Sequence, residues 1–217
     1  MTTQLREPRQ LVIVSAGLSV PSSTRLLADR LGAAARERVD GAEVTVIELR
    51  DLAHQLTDHL LTGFPGPELE WAIDRVRRAD AVIAVTPVFS ASYSGLFKTF
   101  FDVMEEGTLD GKPVLIAATA GTARHSLVLD HALRPLFSYL HAVVVPTGVF
   151  AATDDFGDTH TDQPGGALAS RIDRAVGELA ALLGTTSAPA PSARPTVEQQ
   201  FAEPTPFEEL LRQASGT

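Results

Sequence analysis

Four hydroxyl side chains, Ser15, Ser22, Ser23 and Thr24, fall within ten residues of one another near the amino terminus. They follow a short apolar run, residues 11–14, and precede a segment in which Leu27, Leu31, Ala34 and Ala35 recur at helical spacing. A phosphate monoester needs several donors that converge without steric bulk. Hydroxyls, together with the free N–H groups at a helix N-terminus, supply them. Gly17 lets the intervening backbone turn closely. One such hydroxyl would be an ordinary helix cap; four of them directly after an apolar strand point to a phosphate site. The loop is neither familiar nucleotide motif. No G-x-G-x-x-G is present, and the lookalike around Gly107, Gly111 and Lys112 has short spacing, lacks Ser or Thr after the Lys, and precedes a strand instead of following one. Hydroxyl-rich binding without Lys or Mg²⁺ suits a monophosphate better than a triphosphate.

Two further loops carry small and hydroxyl-bearing residues after apolar runs. The first contains Pro87, Val88, Phe89, Ser90, Ala91 and Ser92, followed by Tyr93. Its small residues admit a flat ring close to the backbone, and Phe89 and Tyr93 offer aromatic surface. The second contains Thr119, Ala120, Gly121 and Thr122, followed by Arg124 and His125. Together the three loops call for a ligand with both a phosphate and a planar ring.

The elements that position these loops alternate between short apolar runs and helix-period segments, the pattern of βαβ units. Strands are expected at residues 11–14, 43–49, 81–86, 114–119 and 142–145. Helices are expected after residue 24, from Pro67 to Arg78, over 95–104, over roughly 126–140, and within 167–183. Residues 50–66, with breakers at Gly63, Pro65 and Gly66, read as a long connection placed to fold over a site. Five strands buried on both faces and joined by helices imply a three-layer α/β/α sandwich around a parallel sheet, in the order 2-1-3-4-5. Ligands then collect at the carboxyl ends of strands one, three and four, where the three loops lie. The expected domain covers residues 1–184. Residues 185–217 begin as a Pro/Ala-rich linker and carry Val197, Phe201, Phe207, Leu210 and Leu211, either as a docking segment or as a disordered tail.

Composition narrows the function. The 217 residues hold 18 basic and 27 acidic side chains, a net charge of −9, which disfavours a nucleic-acid partner. Cysteine is absent, so disulfides, thiolate catalysis and Cys-ligated metals are excluded. No apolar run is long enough to span a membrane and no secretory signal is recognisable, so a cytoplasmic protein is expected. The six histidines lack metal-site spacing, and no G-x-S-x-G elbow is present. Asp154, Asp155, Asp158 and Asp162 read as a solvated loop and not as a calcium site.

The stretches T-P-V-F-S-A-S-Y-S-G-L-F-K-T-F-F-D at residues 86–102 and A-T-A-G-T-A-R-H-S-L-V-L-D-H-A-L-R-P-L-F-S-Y-L at 118–140 make the chain resemble the NADPH-dependent FMN reductase family, which has a flavodoxin-like fold. It is most similar to the reductase components of two-component flavin monooxygenases, such as those that desulfonate alkanesulfonates. The resemblance covers about residues 11–156. It implies that Ser15, Gly17, Ser22, Ser23 and Thr24 hold the FMN phosphate. It further implies that Pro87, Val88, Phe89, Ser90, Ala91 and Ser92 run along the ribityl chain and ring edge, and that Thr119, Ala120, Gly121 and Thr122 face the isoalloxazine. Three positions depart from the family pattern. Leu18 stands where many relatives have Arg, Phe89 where Tyr is common, and Ala120 where Gly is frequent. His131 falls where the sulfonate-linked reductases carry a distinctive Tyr or His in a helix at a subunit interface.

The expected activity is hydride transfer from NADPH or NADH to FMN, with reduced FMN supplied to a flavin-dependent monooxygenase and the reductase working as a homodimer or homotetramer. Hydride transfer is chemistry that the cofactors perform, so no catalytic acid or base is required. The alternatives are a quinone, azo-dye or metal-ion reductase that retains FMN, and a flavodoxin-like electron carrier. The low aromatic content, 6%, argues against the carrier, which needs aromatic clamps on the flavin.

Overall fold

Alternate residues of the central strands belong to two different cores. Leu11 and Ile13, with Ala81, Ile83, Val85, Leu115 and Ala117, face one side of the sheet. Val12 and Val14, with Val82, Ala84, Val114 and Ile116, face the other. Apolar residues therefore run unbroken along the sequence, because both faces of each strand are covered. The computed structural model describes residues 8–156 and 167–184.

The strands β1 (Arg9–Ser15), β2 (Ala42–Glu48), β3 (Ala81–Phe89) and β5 (Pro113–Ala120) pair in parallel, with Leu11 opposite Ala81 and Val82 opposite Val114. A two-residue strand, β4 (Ser92–Tyr93), folds back antiparallel on β3. Beyond β5 lie β6 (Val143–Val144) and β7 (Val149–Ala152), both parallel to it. The order β2-β1-β3-β5-β6 is the expected 2-1-3-4-5. On one face α1 (Ser23–Arg38) and α6 (Ala167–Leu182) pack through Leu27, Leu31, Ile172, Val176 and Leu179. On the other lie α2 (Ala53–Thr62), α3 (Pro67–Arg78), α4 (Gly95–Asp102) and α5 (Arg134–Tyr139), around Leu56, Leu69, Phe97, Phe100 and Phe137.

Four expectations are corrected. The connection over residues 50–66 is mostly ordered: a 3₁₀ turn (Leu49–Leu52) leads into α2, whose Leu56 is buried and whose C-terminus is closed by Gly63 at φ 78°. It packs on the helical layer and contributes nothing to the cleft described below. Strand β2 is not buried on both faces; only Ile47 is, because β2 is the sheet edge. The fifth strand is split. The Val145 N–H still bonds the Val114 carbonyl at 2.9 Å, residues 146–148 then leave the ladder, and pairing with β5 resumes at Val149. Thr147 is held out of line by Glu178, which accepts from both its N–H and its hydroxyl at 2.7 Å.

Finally, the helix expected over 126–140 is irregular. A 3₁₀ turn (Ala123–His125) is followed by a π turn (Leu129–Leu133) and then α5. Pro135 explains the widening, since it has no N–H to donate and its ring would crowd the carbonyl four residues back. The Arg134 N–H reaches back five residues, to the Leu129 carbonyl. The region assigned to the linker and tail, 185–217, lies outside the described residues, as do Asp158 and Asp162.

Candidate functional site

The carboxyl ends of β1, β3 and β5 open on a cleft of about 320 Å³. Its first wall is the β1–α1 loop, from which Leu18, Ser19, Ser22, Ser23 and Thr24 line the cleft. Ser22 caps α1, its Oγ accepting from the Arg25 N–H at 3.2 Å. The Ser23 and Thr24 N–H groups have no acceptor among the described residues. The first turn of α1 carries no acidic side chain, while Arg36 and Arg38 occupy its last turn. The positive end of the helix dipole is thus left to an anion. The loop folds tightly enough that a Cβ on Gly17 would overlap Ser22 Oγ.

The second wall is the end of β3, with Pro87, Val88 and Phe89 lining the cleft. Beyond Phe89 the chain reverses in two residues, Ser90 at φ 49° and Ala91 at φ 65°, and Phe89 pairs with Ser92. Buried Thr86 fastens this hairpin. Its Oγ1 accepts from the Ser94 N–H at 3.0 Å and donates to the Pro87 carbonyl at 2.9 Å. Ser94 in turn caps α4 by accepting from the Phe97 N–H at 3.2 Å. The third wall is the end of β5, with Thr119, Ala120 and Gly121, and Thr153 closes the cleft from the end of β7. A Cβ on Gly121 would meet no protein atom within 4 Å, so the glycine borders open space.

Among the described residues, none that lines the cleft is charged. Arg25, beside the hydroxyl loop, is committed elsewhere, to Asp29 and Glu48. The hydrogen bond to Asp29, foremost, raises its pKa further. Leu18 is 51% exposed and Phe89 46% exposed, which leaves apolar surface on either side of the opening.

Nine of the site residues expected from the sequence therefore line the cleft: Ser22, Ser23, Thr24, Pro87, Val88, Phe89, Thr119, Ala120 and Gly121. So does Leu18, noted there as a departure from the family pattern. Ser15 and Gly17 are buried beneath the loop, and Ser15 Oγ has no partner among the described residues. Ser90, Ala91 and Ser92 form the hairpin tip and Thr122 lies just beyond Gly121; none of the four lines the cleft. His131 sits exposed in the π turn, also outside the lining. Ser19 and Thr153 were not anticipated. Ser19 was legible as one more hydroxyl in the loop. Thr153 was hidden by the split of the last strand. Of the acidic run, Asp155 accepts from the Ala152 N–H and pairs with Arg171. Among the described residues, no group of His, Asp and Glu is placed to hold a metal ion, and no helix is long and apolar enough to cross a membrane.

An uncommitted helix N-terminus ringed by hydroxyls, next to a slot walled by small residues, fits a phosphate joined to a flat ring. Residues 9–157 match the family model described as NADPH-dependent FMN reductase. The chain belongs to that family. An FMN reductase (NADPH) of Pseudomonas aeruginosa is 39% identical over 184 residues, covering 84% of this chain and 97% of the relative. The NADH-dependent FMN reductase SfnF of Pseudomonas fluorescens is 40% identical, covering 83% and 95%. The structure of an oxidoreductase from Corynebacterium diphtheriae superposes with a TM-score of 0.75 at 49% identity, covering 84% of this chain and all of that one. A flavodoxin from the domain Archaea, at 14% identity and a TM-score of 0.51 over 80% of this chain and 99% of that one, shares the fold alone. The reductase is thus a flavodoxin-like NAD(P)H-dependent FMN reductase, with FMN and NAD(P)H as substrates.

Proposed function

We propose that this reductase takes FMN as a substrate that comes and goes, reduces it with NADPH or NADH, and releases reduced FMN to a partner flavin-dependent monooxygenase. One observation carries the reading: among the described residues, the phosphate end of the cleft offers only neutral donors. Leu18 is apolar and Arg25 is held by two carboxylates. Each hydrogen bond there is charge-assisted by the phosphate alone, with no cation and no bidentate guanidinium fork to pair with the dianion, so the phosphate is held loosely.

In this reading Ser22, Ser23 and Thr24 and the N–H groups of the first turn of α1 take the phosphate. Ser15 and Gly17 shape that loop from beneath. Pro87, Val88 and Phe89 follow the ribityl chain and ring edge, with Ser90, Ala91 and Ser92 as the hairpin that holds them. Ala120 and Gly121 border the ring, with Thr122 just outside. The bound flavin supplies the hydride-accepting ring. The chain's own part is to orient it, leave one face open to the nicotinamide, and keep water off the other. The reductase is proposed to act as a homodimer or homotetramer in the cytoplasm.

The test is NAD(P)H oxidation titrated with FMN, on protein first inspected for colour. Protein that purifies without flavin and shows FMN-saturable turnover supports the proposal. Stoichiometrically yellow protein with quinone-dependent turnover would replace it with an FMN-retaining quinone reductase. Light scattering in solution gives the assembly state directly.

A further inference from the structure

Thr24 and Thr119 share a hydrogen bond across the floor of the cleft, with 2.8 Å between their oxygens, and each is 2% exposed. Thr24 is the second residue of α1 and Thr119 the penultimate residue of β5, so the bond ties the hydroxyl loop to the loop that borders the ring. Either oxygen can be the donor. A hydroxyl, however, has one proton to give and two lone pairs to accept with. A dianionic phosphate accepts only. When Thr24 gives its proton to such a group, its oxygen must take the Thr119 proton. The anion thereby fixes one direction of donation, from Thr119 to Thr24 to phosphate, and hydrogen bonds aligned in one direction strengthen each other in a low-dielectric site.

We infer that Thr119 is a positioning residue for the flavin phosphate, acting through Thr24, and is not a donor to the flavin ring. This rests on the phosphate cradle proposed above. It reassigns Thr119 from the ring side of the cleft, because its only proton is consumed by Thr24. It also couples the two ends of the site, since loss of the phosphate releases the Thr119 proton and lets the pair reverse.

The experiment is equilibrium titration of flavin-free protein with FMN and with riboflavin, followed by quenching of flavin fluorescence. The variants are Thr119→Val, Thr119→Ser, Thr24→Val and the Thr24→Val/Thr119→Val pair. Valine matches threonine in shape and removes the proton. Thr119→Val is expected to weaken FMN about tenfold, the loss of one hydrogen bond in a charge-bearing chain, and to leave riboflavin affinity unchanged. Thr119→Ser is expected to bind FMN within about twofold of the parent. In the Thr24→Val background Thr119→Val is expected to add nothing.

Equal weakening of FMN and riboflavin would overturn the inference, as would a Thr119→Val effect that persists without the Thr24 hydroxyl. Where Thr119→Val fails to fold, Thr119→Ala is read by the same pair of flavins. A parent protein that binds FMN and riboflavin equally would sink the phosphate cradle itself. A parent that prefers FMN, with the preference intact in Thr119→Val, would sink only this inference.

Discussion

Gly17 is required by space and not by backbone conformation. Among the glycines with positive φ, Gly17 does not appear, yet a methyl there would overlap Ser22 Oγ and sit 3.1 Å from Thr24 Cβ. Those two residues are the cap of α1 and one partner of the Thr24–Thr119 bond. Gly17→Ala is therefore expected to raise the FMN concentration for half-saturation by about tenfold, since misplaced donors lose most of a charge-assisted bond. It should cost about 1 kcal/mol of stability through the disturbed cap. Ser22→Ala removes the cap and one phosphate donor but leaves the loop room for Ser23 and Thr24, so its loss of FMN binding should not exceed that of Gly17→Ala. At the hairpin the argument is the reverse. Ser90 and Ala91 both adopt positive φ, as a two-residue turn between antiparallel strands demands, although neither is glycine. Each carries a conformational cost of about 1 kcal/mol. Ala91→Gly is expected to raise the melting temperature by about 2–4 °C, measured by circular dichroism. A fall would mean that this tip is stabilised by contacts its backbone angles do not reveal.

Among the elements, α3 ends on a lysine supplied from another part of the chain. Lys112, just before β5, donates to the carbonyls of Val76, Arg77 and Ala79 at 2.8–2.9 Å. Burial pushes its pKa down and the nearby Asp80 opposes that shift. The carbonyls at the end of α3 and at its C-cap thus converge on one cation, Val76 also accepting from the Ala79 N–H at 3.3 Å. Lys112→Met is expected to destabilise the fold by about 2–3 kcal/mol, seen as a lower urea midpoint. FMN affinity should not change, because Lys112 sits at the amino end of β5 and the cleft at its carboxyl end. In the sequence this lysine is visible only as part of a failed nucleotide motif; its partners lie 33–36 residues away. The central strands were legible because burial on both faces leaves an unbroken apolar run. The edge strand was over-read for the same reason: Val44, Val46 and Ile47 resemble a buried strand although only Ile47 is buried. The cleft was legible as three loops because each follows a strand directly. Thr153 was not, because Pro146, Thr147 and Gly148 break the last strand before its true end. Gly148 marks that break physically, since a Cβ there would lie 3.0 Å from Leu129 Cδ1 and 3.4 Å from Ile116 Cγ1.

At the scale of the whole molecule, the family match ends at residue 157, but the second core does not. The helix α6 buries Leu168, Ile172, Ala175, Val176, Leu179 and Ala180 against α1 and the sheet. Arg9, at the start of β1, reaches both Asp80 at 2.9 Å and the Leu183 carbonyl at 3.3 Å. The four large side chains of α6 alone account for on the order of 6–12 kcal/mol of apolar burial, comparable to the whole net stability of an ordinary domain. A chain ending after residue 157 is therefore expected not to fold, whereas one ending after Gly184 keeps every described contact. We expect the 1–184 protein to melt within about 2 °C of the full chain, since no described core residue is removed. Its FMN-dependent NAD(P)H oxidation should proceed at the same rate and with the same half-saturating FMN. Melting curves and steady-state kinetics on the two lengths decide it. If the melting temperatures agree but FMN saturation shifts, residues 185–217 reach the cleft. If the 1–184 protein is unstable, the domain boundary drawn at residue 184 is wrong.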